Sequence, residues 1–167
     1  SDFKEMLDIL IYATEKENVE IINALLKDFD NFTKDQKGYI LHVLSKNLTD
    51  TNYEVISKLI FEYFTTDFSD EYGNLLHYAC YGKSLKMVKE LVEKGLDIDQ
   101  PNFFGNTPFL VACKNSSTTV LRYLVEKGID IFTKNHEGEN ALHNAVKGSN
   151  IENLTYLLSL GLDIEAR

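Results

Sequence analysis

The sequence predicts an all-α solenoid in which about five helix–turn–helix units stack along one axis, with short hairpin-like tips between them. Two observations carry this prediction. An interval of 33 residues (128 − 95 = 161 − 128) separates the members of three triplets, which are Gly95, Gly128, Gly161, then Ala79, Ala112, Ala145, and Asp97, Asp130, Asp163. Whole segments also recur at this interval, namely ELVEKGLDI (90–98), YLVEKGIDI (123–131) and YLLSLGLDI (156–164). Because these residues and segments all recur at the same interval, with no insertion or deletion between them, they indicate an internal repeat.

One complete unit, residues 106–138, shows how the pattern becomes structure. NTPFLVACKN (106–115) is predicted to be a short helix, because Thr107 can cap its N-terminus and Pro108 fits the first turn, where no backbone N–H is needed. STTVLRYLVEK (117–127) is predicted to be a second helix with one apolar stripe, and Gly128 ends it as a left-handed cap. The following segment then runs extended to a turn at Gly138. One such unit cannot bury its apolar face alone, so stability must come from its neighbours.

At this level of detail the chain resembles the ankyrin repeat family. NFFGNTPFLVA (102–112) and NHEGENALHNA (135–145) follow the family pattern D-x-x-G-x-T-P-L-H-x-A, and DEYGNLLHYA (70–79) follows it with one residue fewer. The second-helix ending LVEKGLDI is similar to the family's L-L-x-x-G-A-D-V. The resemblance implies that each unit contributes two helices and a hairpin tip.

The N-terminal part follows the pattern more weakly. DQKGYILHVL (35–44) aligns with DEYGNLLHYA at an interval of 35 (70 − 35), with Leu44 at the position of Ala79. We therefore expect degenerate units over residues 2–67, consisting of a cap and one irregular repeat, and three regular repeats over residues 68–167. The sequence stops at GLDIEAR, where another tip should begin. We expect the chain to be cut from a longer protein with a further repeat or another domain.

Composition limits the classes of partner. The formal net charge of −9 and the pI of about 4.9 argue against nucleic acid or an anionic membrane surface, because both require a basic face. The charge favours a protein partner with a basic or mixed surface. No apolar stretch of about 18 residues indicates a membrane span. Two cysteines are too few for a disulfide framework, which is typical of an intracellular, cytoplasmic protein. We expect a monomer.

No residue pattern predicts catalysis, a cofactor or a metal site. His42, His77 and His143 align at one repeat position, where the resemblance implies a structural hydrogen bond to the adjoining tip. Cys80 and Cys113 are 33 residues apart, on neighbouring first helices that are too distant for a disulfide (113 − 80). The recurring aspartates are interpreted as turn acceptors. The chain is therefore expected not to be an enzyme.

Two adjacent phenylalanines at a predicted tip are the strongest functional signal. Phe103 and Phe104 stand between turn-forming residues, in a place where the repeat's own core gains nothing from apolar side chains. The resemblance implies that partners contact the concave face, formed by the tips and the first helices. Its candidate residues here are Tyr72, Tyr81, Phe103, Phe104, Asn106, Lys114, Asn115, Lys134, His136 and Glu137. We expect the four aromatic residues to form one contiguous strip, unless a phenylalanine ring folds back onto its hairpin neighbour or onto Pro101.

These observations predict a non-catalytic module that binds a partner protein on its concave face. The alternative is a substrate-recruiting or targeting segment of a larger multidomain enzyme or pathogen effector, acting in the host cytoplasm, whose catalytic domain lies outside this chain. A spacer without a specific partner would have a polar concave face, which fits Phe103 and Phe104 poorly.

Overall fold

The computed structural model describes residues 2–163, and within them the predicted all-α solenoid of paired helices is observed. The expectation of a further repeat or domain after Arg167 lies outside the described residues. The α-helices are α1 (Asp2–Glu15), α2 (Val19–Leu25), α3 (Lys34–Lys46), α4 (Tyr53–Tyr63), α5 (Leu75–Ala79), α6 (Leu85–Glu93), α7 (Pro108–Asn115), α8 (Thr118–Glu126), α9 (Ala141–Lys147) and α10 (Ile151–Ser159). A short 3-10 helix spans Phe29–Asn31, and β1 (Ser69–Asp70) pairs antiparallel with β2 (Gly73–Asn74).

The helices stack in two layers. The first helices of successive pairs (α1, α3, α5, α7, α9) contact one another, and α4, α6, α8 and α10 form the second layer. One continuous cluster of buried apolar side chains runs between the layers from Leu10 to Leu162. Each unit therefore buries its apolar stripe against its neighbours, as the repeat pattern requires.

Local signals in the sequence begin and end the helices as predicted. The Thr107 hydroxyl accepts a hydrogen bond from the Leu110 N–H, and Pro108 occupies the first turn of α7. Gly128 has a φ of +84°, a conformation that favours glycine, where α8 ends. Asp97 and Asp130 each accept a hydrogen bond from the backbone N–H two residues further on, at 2.9 Å, which confirms their role as turn acceptors.

A buried amide joins the last two units. Asn153, on α10, is fully buried, and its Nδ2 donates to the carbonyls of Ser116 at 2.9 Å and Cys113 at 3.2 Å. Its Oδ1 accepts from the Thr118 hydroxyl at 2.8 Å. The last carbonyls of a helix have no partner within the helix, and Asn153 supplies one for the end of α7.

Residues 35–38, which align with the first tip in sequence, form the first turns of α3 instead of a hairpin. Thr33 and Gln36 make a reciprocal capping box that starts the helix at Lys34. Gly38 consequently lies inside the helix, where a Cβ would stand 2.4 Å from Asp70 Oδ2 and 3.0 Å from the Tyr78 hydroxyl. Because Gly38 has no Cβ, the third unit can approach α3 closely. The second unit presents the first turns of a helix at the place where later units present a hairpin.

Candidate functional site

Three tips line one edge of the solenoid, over residues 69–74, 102–107 and 135–140, and backbone hydrogen bonds join them. The Phe103 N–H donates to the carbonyl of Glu71, and the His136 N–H donates to the carbonyl of Phe104, both at 3.0 Å. Asn102 reinforces the first link, because its Nδ2 donates to the carbonyl of Tyr72 at 3.1 Å. We call this series the tip ladder. It fixes the spacing between side chains that different units present.

The two phenylalanines at the second tip lie in solvent. Phe103 is 71% exposed and Phe104 is 40% exposed. Their ring centroids are 5.4 Å apart with an edge-to-face geometry, and Phe104 lies 5.5 Å from the ring of Tyr72. Tyr72, Phe104 and Phe103, which we call the ring row, therefore form a continuous aromatic surface across two tips. Aromatic surface exposed in this way is typical of a protein interface.

The other candidate residues fall into two groups. Lys114, Lys134, His136 and Glu137 are exposed. Two amides are instead occupied by internal hydrogen bonds. Asn106 Oδ1 accepts from Asn135 Nδ2 at 3.1 Å, and Asn115 Nδ2 donates to a carbonyl within α7 at 3.0 Å.

Tyr81 lies apart from the ring row, in a cleft between α3 and the first tip. The cleft has a volume of about 280 Å³. Its aromatic lining consists of Tyr39, Tyr72, Tyr78 and Tyr81, and its polar lining consists of Asp35, His42, Asp70 and Glu71, with Gly38 at the helix. We call it the tyrosine cleft. Tyr72 belongs both to the cleft and to the ring row, so the two surfaces are continuous.

Hydrogen bonds fix the inner wall of the tyrosine cleft. Asp70 Oδ2 accepts from the Tyr78 hydroxyl at 2.6 Å, and Asp70 Oδ1 accepts from the Tyr72 N–H at 2.9 Å. Burial and the bond to Asp70 raise the pKa of Tyr78, so this phenol stays protonated and keeps donating. The carboxylate of Asp70 thereby holds two of the tyrosines in place.

His42 stands on another wall of the cleft. Its ring packs edge-to-face on Tyr81, with 4.8 Å between the ring centroids. Burial, which is the larger cause, and the positive charge of Lys46 both lower the pKa of His42. The imidazole is therefore neutral at pH 7, and it adds no positive charge to the cleft.

Within residues 2–163, the two cysteines lack the exposure of a reactive thiol and no cluster of side chains could hold a metal ion. Cys80 and Cys113 are both buried and unbonded. Burial raises the pKa of Cys80 to about 12 and also raises that of Cys113, so neither forms a thiolate readily at neutral pH. Among residues 2–163, no group of three or more histidine, cysteine or carboxylate side chains could hold a metal ion. Over the same range, no helix has the length and apolarity needed to cross a bilayer.

Comparison with known proteins agrees with this architecture. A family model that describes three copies of the ankyrin repeat matches residues 10–102 and, a second time, residues 76–167. The chain belongs to the ankyrin repeat family. A comparison with curated protein sequences finds no significant match.

The ankyrin histidine position explains two of the three aligned histidines. His77 Nε2 donates to the carbonyl of Asn106 in the next tip at 2.9 Å, and its Nδ1 accepts from the Asn74 N–H at 3.1 Å. His143 makes the same capping bond to the Asn140 N–H. Among the described residues His42 makes no such bond, because α3 starts with the Thr33 capping box and the imidazole packs on Tyr81 instead. The structural hydrogen bond that the resemblance implies is therefore observed for His77 but not for His42.

Sequence reasoning missed most of the tyrosine cleft in this ankyrin repeat protein. Tyr39, Tyr78 and Asp70 are not among the residues that the sequence predicts to contact a partner. A usable signal lay at the 33-residue interval itself. The positions equivalent to Tyr81 in the next two units are Lys114 and Lys147 (81 + 33 = 114, 114 + 33 = 147). A tyrosine in place of a lysine marks this unit as different from the others.

Proposed function

We propose that this chain is a non-catalytic recognition module that binds a partner protein on its concave face. Ankyrin repeats are in general modules for protein–protein interaction. The observation that carries the proposal for this chain is the ring row, with Tyr72, Phe104 and Phe103 held in solvent across two linked tips.

The ring row offers binding free energy that the folded chain does not use. A phenylalanine side chain can bury about 150–250 Å². Because Phe103 is 71% exposed, most of that area is still available to a partner. At about 25 cal/mol per Å², covering this one ring would contribute roughly 2–4 kcal/mol, before the cost of association.

The tips also present the rings in an ordered form. Asn102 Oδ1 accepts from the Phe104 N–H at 2.9 Å and from the Asn106 N–H at 3.0 Å, which fixes the turn that carries the rings. The tip ladder then fixes this turn against its neighbours. A partner would meet a preformed surface, so little conformational entropy would be lost on this side of the interface.

The proposal is tested by comparing two exposed aromatic sites on the full chain. The purified protein is used to capture partners from a lysate of cells in which it occurs, as wild type, as Phe103→Ser/Phe104→Ser and as Phe132→Ser. Phe132 is a matched control, because it is 68% exposed and lies between α8 and α9, outside the ring row. Captured proteins are identified by mass spectrometry, and their affinities are measured with purified components.

We expect a partner that wild type and Phe132→Ser retain and that the double variant loses, while all three proteins have the same melting temperature. Equal retention by all three would show that the interface does not include the ring row. Early melting of the double variant would show that the rings stabilise the fold rather than an interface.

A further inference from the structure

The tyrosine cleft has a chemistry that the ring row does not share. It combines aromatic ring faces with carboxylates in a cavity of about 280 Å³. That volume lies just below the range of sites for small-molecule ligands and suits a single side chain. We propose that the tyrosine cleft binds an arginine side chain of the partner protein. This inference rests on the proposed function and names the chemistry by which the partner is recognised.

The cleft exists because the second unit lacks a tip. The first turns of α3 replace the hairpin, and they approach the first tip closely at Gly38, where a Cβ would collide with Asp70 Oδ2. Tyr39 follows on the same helix and is exposed, while Tyr72 comes from the opposing tip. The opening between the helix and the tip therefore has an aromatic ring on each side.

The negative charge of the cleft favours a positively charged ligand. Asp35, Asp70 and Glu71 line it, and no lysine or arginine does. Their charges are close to the rings, because all three carboxylates raise the pKa of Tyr72, with Glu71 acting most strongly. Neither Asp35 nor Glu71 forms an ion pair with another residue of the described range 2–163. The negative potential is thus left for a ligand to neutralise.

The last unit shows what a cation does at the equivalent place. Lys147 stands where Tyr81 stands two units earlier (81 + 66 = 147), and it forms an ion pair with Glu139 on its own tip. In the third unit a tyrosine stands in place of the lysine, and the shorter tip lacks a counterpart of Glu139 but carries Asp70 and Glu71 at other positions. The chain supplies a cation to the last tip from within, and at the tyrosine cleft the partner would supply it.

Arginine fits this cleft better than lysine does. A guanidinium can stack on a tyrosine face while its N–H groups reach more than one carboxylate, whereas an ammonium is a compact and strongly hydrated charge. The carboxylate of Asp70 can still accept further hydrogen bonds. Each of its oxygens accepts one internal hydrogen bond, so about half of the lone pairs of the carboxylate stay available.

The first test uses short peptides and the full chain. The acetylated and amidated peptide Gly-Ser-Arg-Ser-Gly is titrated into ¹⁵N-labelled protein and followed by NMR. Matched peptides carry lysine or citrulline, the neutral isostere of arginine, at the central position. We expect the arginine peptide to shift the amide signals of Tyr39, His42 and Glu71 with a Kd on the order of 1–10 mM. The lysine and citrulline peptides should bind at least about fivefold more weakly.

Two variants locate the site. Glu71→Gln removes one cleft charge from an exposed side chain, and Glu152→Gln is its control, because it removes one exposed charge from α10 in the second layer, away from the tips. Tyr81→Lys places at the cleft the residue that the next two units carry there. We expect Glu71→Gln to weaken the binding of the arginine peptide by about threefold to tenfold, Tyr81→Lys to abolish it and Glu152→Gln to leave it unchanged.

The inference is overturned if citrulline or lysine binds as tightly as arginine, if the shifted signals lie outside the cleft, or if Glu71→Gln binds like wild type. The captured partner then separates the two proposals. Loss of the partner by Phe103→Ser/Phe104→Ser together with full retention by Glu71→Gln and Tyr81→Lys would support the recognition module and reject the arginine site. Loss of the partner by Phe103→Ser/Phe104→Ser, by Glu71→Gln and by Tyr81→Lys, with the partner still retained by the control variant, would support both the recognition module and the arginine site.

Discussion

Replacing Gly38 by alanine tests how tightly the cleft wall is built. Alanine in a helix is normally favoured over glycine by about 1 kcal/mol. Here its Cβ would stand 2.4 Å from Asp70 Oδ2, which the Tyr78 hydroxyl holds at 2.6 Å. The carboxylate must move and lose this bond, and a hydrogen bond to a charged group is worth about 1.5–3 kcal/mol. We therefore expect Gly38→Ala to destabilise the protein by roughly 0.5–2 kcal/mol.

The same substitution should have the opposite effect once the hydroxyl is gone. In a Tyr78→Phe background Asp70 Oδ2 has no hydrogen bond to lose and can move away from the helix while Oδ1 keeps its bond to the Tyr72 N–H, so Gly38→Ala should be neutral or stabilising by up to about 1 kcal/mol. The four proteins of this double-mutant cycle are unfolded with urea at pH 7 and followed by circular dichroism. If Gly38→Ala stabilised the wild type as much as the Tyr78→Phe variant, the argument for a close approach at Gly38 would be refuted.

Three further substitutions test other parts of the structure. Asn153→Leu should destabilise the protein by about 2–4 kcal/mol in urea unfolding, because the Cys113 carbonyl loses its side-chain donor and the Thr118 hydroxyl loses its acceptor, and an unchanged midpoint would contradict this. Lys147→Gln should raise the pKa of Glu139, measured by ¹³C NMR titration, because the hydrogen bond from Lys147 is the largest cause that lowers it. Burial lowers the pKa of His77, so its contribution to stability is full above the unfolded value of about 6.5 and is lost as the pH falls through the lower pKa of the folded state. The free energy of unfolding of His77→Gln should therefore fall less than that of wild type over this interval, and parallel curves would show that His77 is not the group responsible.

The parts of the fold that follow from short stretches of sequence were predicted. The cap at Thr107, the turn at Gly128 and the acceptor role of Asp97 each depend on residues within a few positions along the chain. The capping box of Thr33 and Gln36 was equally local, and recognising it would have placed the start of α3 correctly. Because this box starts α3 at Lys34, His42 lies well inside the helix and cannot take the capping role that its alignment with His77 implies.

The tyrosine cleft could not be predicted to the same degree, because it depends on contacts between distant residues. Tyr39 and Tyr72 line the same cleft only because α3 replaces a hairpin and because Gly38 lets Asp70 approach the helix. The composition of one segment contains no information about this approach. The replacement of a repeated lysine by Tyr81 was visible in the sequence, but its partners become apparent only in the folded chain.

The tip ladder also gives the protein two natural reporters. The amide hydrogens of Phe103 and His136 are bonded to carbonyls of the preceding unit rather than of their own. Such a hydrogen exchanges with solvent only when neighbouring units separate, so its exchange rate with deuterium measures how often that junction opens. A ligand that clamps adjacent tips together should slow exchange at these two amides, which makes its engagement visible without any label on the ligand.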